Sequence, residues 1–188
     1  MTAPASVRER TSSYVMLTVS AQQYAVAAAS VTEVVALPQL TRVPKMPSCI
    51  RGLMNLRGTV VPVIDLAEKL GFTPTEITAR TCVVIVATDV NGVASPMGIV
   101  VDAVINVISL IDEEIAPPPP FGSPIEAAYL TGIVRLDEHY VLVLDLTKIL
   151  APDELLSVTR RMQSSEAAGS VAASATRTRK RKNIGPRA

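Results

Sequence analysis

From Tyr14 to Leu150 the chain is a succession of short apolar runs broken by polar, glycine-bearing or proline-bearing turns. Tyr14-Val-Met-Leu-Thr-Val19 and Gln23-Tyr-Ala-Val-Ala-Ala28 predict a hairpin with Ser20-Ala-Gln22 as its turn. Leu53–Leu56 and Val60–Ile64 predict a second pair of strands around Arg57-Gly58-Thr59. Thr81–Ala87 and Met97–Val101 predict a third pair around a polar loop, and Leu130–Leu136 and Tyr140–Leu144 a fourth. The pattern over Ala29–Leu37 fits either a short helix or a continuation of the preceding strand. Thr41–Pro47 is a proline-punctuated loop. Pro62, inside an apolar run, argues for an edge strand or a bulge at that point. Asp65 and Asp145 each precede a Leu-rich turn and predict N-caps of short helices, Leu66–Leu70 and Leu146–Leu150, the first stopped by Gly71. Roughly ten short strands with no long amphipathic helix indicate an all-β barrel architecture.

The pattern also repeats. Gly52-Leu-Met-Asn-Leu-Arg-Gly-Thr-Val-Val-Pro-Val-Ile-Asp65-Leu66 returns 80 residues later as Gly132-Ile-Val-Arg-Leu-Asp-Glu-His-Tyr-Val-Leu-Val-Leu-Asp145-Leu146. Upstream, Val31-Thr-Glu-Val-Val-Ala-Leu37 returns as Val104-Ile-Asn-Val-Ile-Ser-Leu110 at an offset of 73, so the second copy carries seven extra residues, around Pro117–Pro120. Solenoid units run to about 20–50 residues. The longer period here indicates two similar sub-barrels in one chain.

Composition supports β structure and narrows the function. The chain is 48% hydrophobic with only 3% aromatic residues, and its apolar residues are mostly Val, Ile, Leu and Ala. Val and Ile are stiff at χ1 and suit a pleated surface. No apolar run approaches the ~18 residues of a membrane-spanning helix, and Met1–Arg10 has no hydrophobic signal core. Cys49 and Cys82 fit no metal-ligand spacing. The expectation is a soluble cytoplasmic protein with reduced thiols. The net charge of +1 hides an asymmetry: residues 1–157 hold ten basic and sixteen acidic residues, giving −6, whereas residues 158–188 hold eight basic residues and Glu166, giving +7.

Little in the chain suggests catalysis. His139 is the sole histidine and occupies the turn position that Thr59 holds in the first copy, which makes it a solvated turn residue. No Ser-His-Asp or Cys-His set can be drawn without another histidine. Neither a phosphate-binding glycine loop nor a zinc signature is present. Asp65 and Asp145 invite a two-carboxylate hydrolase reading, but helix capping accounts for both. Asp112-Glu113-Glu114 reads as a solvated loop or a helix start. Arg57 is different: it places a long cation at a turn tip shaped by Gly58, in an acidic body, and its fork suits a partner carboxylate.

Ile50-Arg-Gly-Leu-Met-Asn-Leu-Arg-Gly-Thr-Val-Val-Pro-Val-Ile-Asp-Leu66 resembles the hallmark segment of the CheW family of chemotaxis coupling proteins. Met97-Gly-Ile-Val-Val-Asp102 and Tyr129-Leu-Thr-Gly132 resemble two further family segments in the expected order, and the likeness covers about Ser13 to Leu155. The resemblance implies two five-stranded, SH3-like barrels related by pseudo-two-fold symmetry, with a hydrophobic core between them. It implies a non-catalytic adaptor, without cofactor or metal, that couples chemoreceptors to the histidine kinase CheA. One subdomain would pack on the kinase's regulatory domain, and a groove near the subdomain junction would take the tip of the receptor's helical hairpin. Carried over by position, the receptor-facing residues are Val31, Glu33, Gly52, Asn55 and Arg57. A core position for Val31 competes evenly with that role, and Gly52 and Gly132 read more simply as permitting close strand packing. No particular residues are assigned to the kinase contact.

The domain expectation is a disordered N-terminus over 1–12, a CheW-like domain of two intertwined barrel subdomains over 13–157, and a disordered basic tail over 158–188. Two departures from the family pattern stand out. Asp65-Leu66-Ala67 replaces the frequent Asp-Leu-Arg, and Arg177-Thr-Arg-Lys-Arg-Lys182 is an unusual addition. Arg177, Arg179, Lys180, Arg181 and Lys182 form either a solvated tail or a weak, salt-sensitive contact for an acidic partner, a nucleic acid or a membrane surface. The functional expectation is a cytoplasmic adaptor associated with membrane chemoreceptor arrays. The alternatives are an adaptor of a non-flagellar pathway, such as pilus or gliding motility or development, and nucleic-acid binding through the tail.

Overall fold

Ten strands make up most of the residues described by this computed structural model, which are 10–90, 93–118, 125 and 127–150. They are β1 (Thr11–Val19), β2 (Gln22–Ala27), β3 (Val31–Ala36), β4 (Ile50–Leu56), β5 (Thr59–Asp65), β6 (Cys82–Val90), β7 (Val93–Val101), β8 (Ala103–Ile111), β9 (Leu130–Leu136) and β10 (His139–Leu144). Two single-turn helices, α1 (Leu66–Lys69) and α2 (Leu146–Ile149), follow β5 and β10. The first sheet has the order β8-β1-β2-β10-β9 and the second β3-β6-β7-β5-β4. Exchanging each strand for its counterpart five places along the chain converts one order into the other. The sequence repeat is thus a structural pseudo-two-fold that relates two five-stranded, SH3-like barrels.

The halves are intertwined. The hairpin β1–β2 joins the sheet of the second half, and β6–β7 joins the sheet of the first. Each exchange is sealed by a short parallel ladder, Tyr24–Val26 on Leu142–Leu144 and Val63–Asp65 on Gly98–Val100. Ala29–Leu37, open between helix and strand in the sequence, resolves into a 3-10 turn at Ala28–Ser30 followed by β3, which crosses into the second sheet.

Two local expectations need correction. Thr11 and Ser12, assigned to a disordered N-terminus, are strand residues opposite Ile111 and Leu110; their polar side chains hid a backbone ladder. Pro62 lies on an inner strand and not at a bulge, since the β4–β5 register shifts between Ile50 and Gly52. Proline is tolerated because the β7 ladder on that side begins only at Val63, so no N–H is required of residue 62 there. The tail residues Arg177, Arg179, Lys180, Arg181 and Lys182 lie outside the described residues, as do most of the second copy's extra residues, around Pro119 and Pro120.

Each barrel has its own core. One gathers Tyr14, Met16, Ala25, Leu110, Val134, Val141 and Val143; the other Met54, Val61, Val63, Val83, Ile85 and Val100. Met54, Val61 and Val63 correspond to Val134, Val141 and Val143 at the repeat offset of 80. Leu17, Val19, Val26, Ile64, Val84, Val86 and Ile99, which lie outside both clusters, are also buried. The central strands are therefore covered on both faces, which explains why their apolar runs are continuous and not alternating.

Candidate functional site

The β4–β5 hairpin builds a rigid tip. Arg57 and Gly58 have φ of 53° and 91°, the mirror-image two-residue turn whose twist matches that of the flanking strands. Asn55 Oδ1 accepts the Gly58 N–H at 2.7 Å, so its side chain locks the turn that presents Arg57. Arg57 Nη2 donates to Glu33 Oε2 on β3 at 2.7 Å, joining the outer strand of the sheet to the tip of its last hairpin. The Arg57 side chain is 80% exposed and that of Glu33 24%. A pair this open contributes at most about 1 kcal/mol, and the guanidinium keeps further donors for an incoming partner.

Not every expected residue joins this face. Val31 pairs with Val86 and Glu33 with Ile85, so Thr32 is bulged out of the β3–β6 ladder. Burial still alternates along β3, with Val31, Glu33 and Val35 half-buried and Thr32, Val34 and Ala36 exposed. Val31 is half-buried, between the two readings open for it. Gly52 is buried further down β4, at a φ of +149°, and a Cβ there would stand 2.6 Å from the Thr41 carbonyl oxygen. A Cβ on Gly132 would stand 2.5 Å from the Ala116 carbonyl oxygen. Thr41 bridges Leu53, and Ala116 bridges Ile133. The repeated glycine thus marks where the connector from the preceding strand crosses β4 or β9.

The largest feature missed in the sequence lies beneath this hairpin. Asp65 is fully buried and caps α1 by accepting from the N–H groups of Ala67 and Glu68 at 3.0 and 3.3 Å. It also accepts from Arg51 Nε at 2.7 Å, and from Thr75 N–H and Oγ1, both at 2.9 Å. Arg51 donates to the Thr75 carbonyl oxygen as well. Asp145 has a plainer role, capping α2 through the N–H groups of Thr147 and Lys148 at 3.1 and 3.3 Å, with Lys148 Nζ at 3.2 Å. Burial alone would raise its pKa, but the hydrogen bonds from Thr147 and Lys148 and the Lys148 charge hold it below the ordinary carboxylate range. The signal for this asymmetry was in the repeat, where Arg51 corresponds to Thr131. Both carboxylates serve as helix caps, as the sequence suggested.

His139 is exposed at the start of β10, and Asp112–Glu114 form an exposed 3-10 turn. Among the described residues, no group of His, Cys, Asp and Glu could hold a metal ion, and no helix is long and apolar enough to cross a membrane.

A family model described as a CheW-like domain matches residues 13–154. The chain belongs to the CheW family. The chemotaxis protein CheW of Klebsiella aerogenes is 33% identical over 145 residues, covering 77% of this chain and 85% of that protein. Protein FrzA of Myxococcus xanthus is 30% identical over 133 residues, covering 70% of this chain and 80% of that protein. The crystal structure of the scaffolding protein TtCheW from Thermoanaerobacter tengcongensis superposes with a TM-score of 0.69 at 27% identity, covering 81% of this chain and 96% of that one. Against this CheW background, the Glu33–Asn55–Arg57 cluster is the exposed face that the hairpin and the outer strand build together.

Proposed function

We propose that this protein is a non-catalytic chemosensory adaptor that couples chemoreceptors to the histidine kinase CheA by binding both. Family membership carries the reading, since the relatives include chemotaxis proteins named CheW and a solved scaffolding protein. The Arg57 face is the proposed receptor contact. Its exposed fork, held by Glu33 and oriented by the Asn55-locked turn, offers bidentate bonds to a carboxylate on a helical hairpin tip. The exposed Val60, opposite Asn55 in the hairpin ladder, supplies an apolar anchor. The adaptor would work in the cytoplasm at receptor arrays, where holding receptor and kinase in fixed geometry lets receptor conformation bias kinase activity.

The likeness to FrzA favours a second placement of the same activity, in a non-flagellar pathway. Affinity capture with the full-length protein from native cytoplasm and membranes, at moderate and high salt, tests the coupling reading. Recovery of a CheA-type kinase with chemoreceptors at both salts is the expected result. The identity of the co-purified receptors then separates the two placements. Recovery of nucleic acid alone, lost at high salt, would overturn the adaptor reading.

A further inference from the structure

Four segments of the second sheet's barrel close on one small cavity. The connector after β3 contributes Leu37, Leu40 and Arg42, the base of β4 Arg51, the loop between α1 and β6 Ile77, and β7 Val100. The cavity measures about 260 Å³, and no acidic residue lines it. Leu37 and Leu40 pack on the barrel core to which Val100 belongs, so the inner wall is apolar. Ile77, 66% exposed, forms the outer wall.

Each wall is held by bonds of its own. Thr41, next to Arg42, exchanges two backbone hydrogen bonds with Leu53, at 2.8 and 2.9 Å. The loop is fixed on both sides of Ile77: Thr75 donates twice to Asp65, and the Thr81 hydroxyl donates to the Glu76 carbonyl at 3.2 Å. An exposed apolar side chain is thus kept beside an apolar cavity, where an occupant would take both out of water.

The charged groups are both cationic. Arg51 spends Nε and Nη2 on Asp65 and the Thr75 carbonyl oxygen, which leaves the two donors of Nη1. Asp65 balances the charge of Arg51. Arg42 is exposed and has no carboxylate partner among the described residues, so the cavity mouth carries uncompensated positive charge. The fold itself requires neither cation. In the other barrel the matching positions are Pro117, which follows the bridging Ala116 as Arg42 follows Thr41, and Thr131. A preformed apolar cavity with a few placed polar groups is the usual form of a small-molecule site.

We infer that this cavity binds a small monocarboxylate with an apolar body. The carboxylate sits between Arg42 and Arg51, and the hydrocarbon lies against Leu37, Leu40, Ile77 and Val100. Charge-assisted bonds from two guanidinium groups select the anion over an uncharged analogue. The volume accepts roughly nine groups of water size, close to the number of non-hydrogen atoms in hexanoate. The site goes beyond the coupling reading and does not depend on it.

The test is an amide NMR titration of the full-length protein with sodium hexanoate, and with hexanamide as the uncharged analogue. Arg42→Gln and Ile77→Ser are measured beside the wild type, their spectra checking the fold; Arg51 is left intact because its loss would strand the buried Asp65. Hexanoate should move the signals of residues 37–42, Arg51 and Ile77 saturably. Hexanamide should bind roughly tenfold more weakly, and Arg42→Gln should weaken hexanoate by about the same factor. Ile77→Ser should weaken both compounds alike, by roughly threefold or more, through lost apolar contact. Shifts that never saturate would overturn the inference, as would hexanamide binding as tightly as hexanoate or an Arg42→Gln variant that binds like the wild type. Signals that ignore hexanoate but move with protein concentration, or on adding a CheA-type kinase, would give the cavity to a protein contact and overturn it as well.

Discussion

Arg57 Nη2 lies 2.7 Å from Glu33 Oε2 although 24 residues separate them, and no other described ion pair joins an outer strand to a hairpin tip. The bond is open to solvent, so its value lies in aiming the guanidinium more than in holding the fold. Arg57→Glu should weaken receptor association roughly tenfold or more through charge reversal at the contact. The thermal midpoint should move by no more than about 3 °C, because an exposed pair contributes under about 1 kcal/mol. Co-sedimentation with receptor-bearing membranes, together with a melting curve, checks both halves. Full receptor binding by the folded variant would remove Arg57 from the site.

The glycines should separate into two grades. Gly52→Ala combines a φ of +149° with a Cβ 2.6 Å from a backbone oxygen, and should destabilise by roughly 2–4 kcal/mol. Gly58→Ala meets no atom within 4 Å and bears only the strain of its φ of +91°, which costs about 1–2 kcal/mol. Urea denaturation of the two variants measures the difference. Equal losses would mean that the crossing connector relaxes freely around residue 52.

The two capping carboxylates should be unequal. Asp65→Ala strips a fully buried acceptor from Arg51, Thr75 and the α1 N-terminus and should cost about 3–5 kcal/mol. Asp145→Ala removes a half-buried cap and should cost about 1 kcal/mol. Comparable denaturation midpoints for the two variants would contradict this ordering.

Asp145 also predicts a pH dependence. Its pKa is lowered in the folded protein, so its ionised form is favoured by folding. That contribution is fully present above the unfolded carboxylate value of about 3.9 and is lost as pH falls through the lower folded value. Asp145→Asn should flatten the acid limb of a plot of stability against pH relative to wild type. An unchanged limb would mean that the Thr147 and Lys148 bonds do not persist in solution.

Local chemistry was legible along the chain. The Arg57-Gly58 turn, the caps at Asp65 and Asp145, the stop at Gly71 and the strand pairs are all encoded within a few residues of where they act, so pattern and turn propensity suffice to find them. Gly71 closes α1 as expected, with its N–H on the Glu68 carbonyl at 3.0 Å and that of Phe72 on the Ala67 carbonyl at 2.9 Å. The repeat revealed the duplication because equivalent strands face equivalent surroundings. It also carried the family likeness that named the candidate site residues.

Residue order alone therefore specifies the set of strands, their turns and caps, and the duplication that relates them. Tertiary structure decided which hairpin joins which sheet, because the parallel ladders of β2 with β10 and β5 with β7 unite segments far apart in the chain. It decided that Thr32 is bulged and that Glu33 reaches Arg57. It also decided that Arg51, Asp65 and Thr75 share one buried network. These are long-range choices of register and burial, set by which faces pack together, and periodicity along a single strand carries no information about the partner across from it.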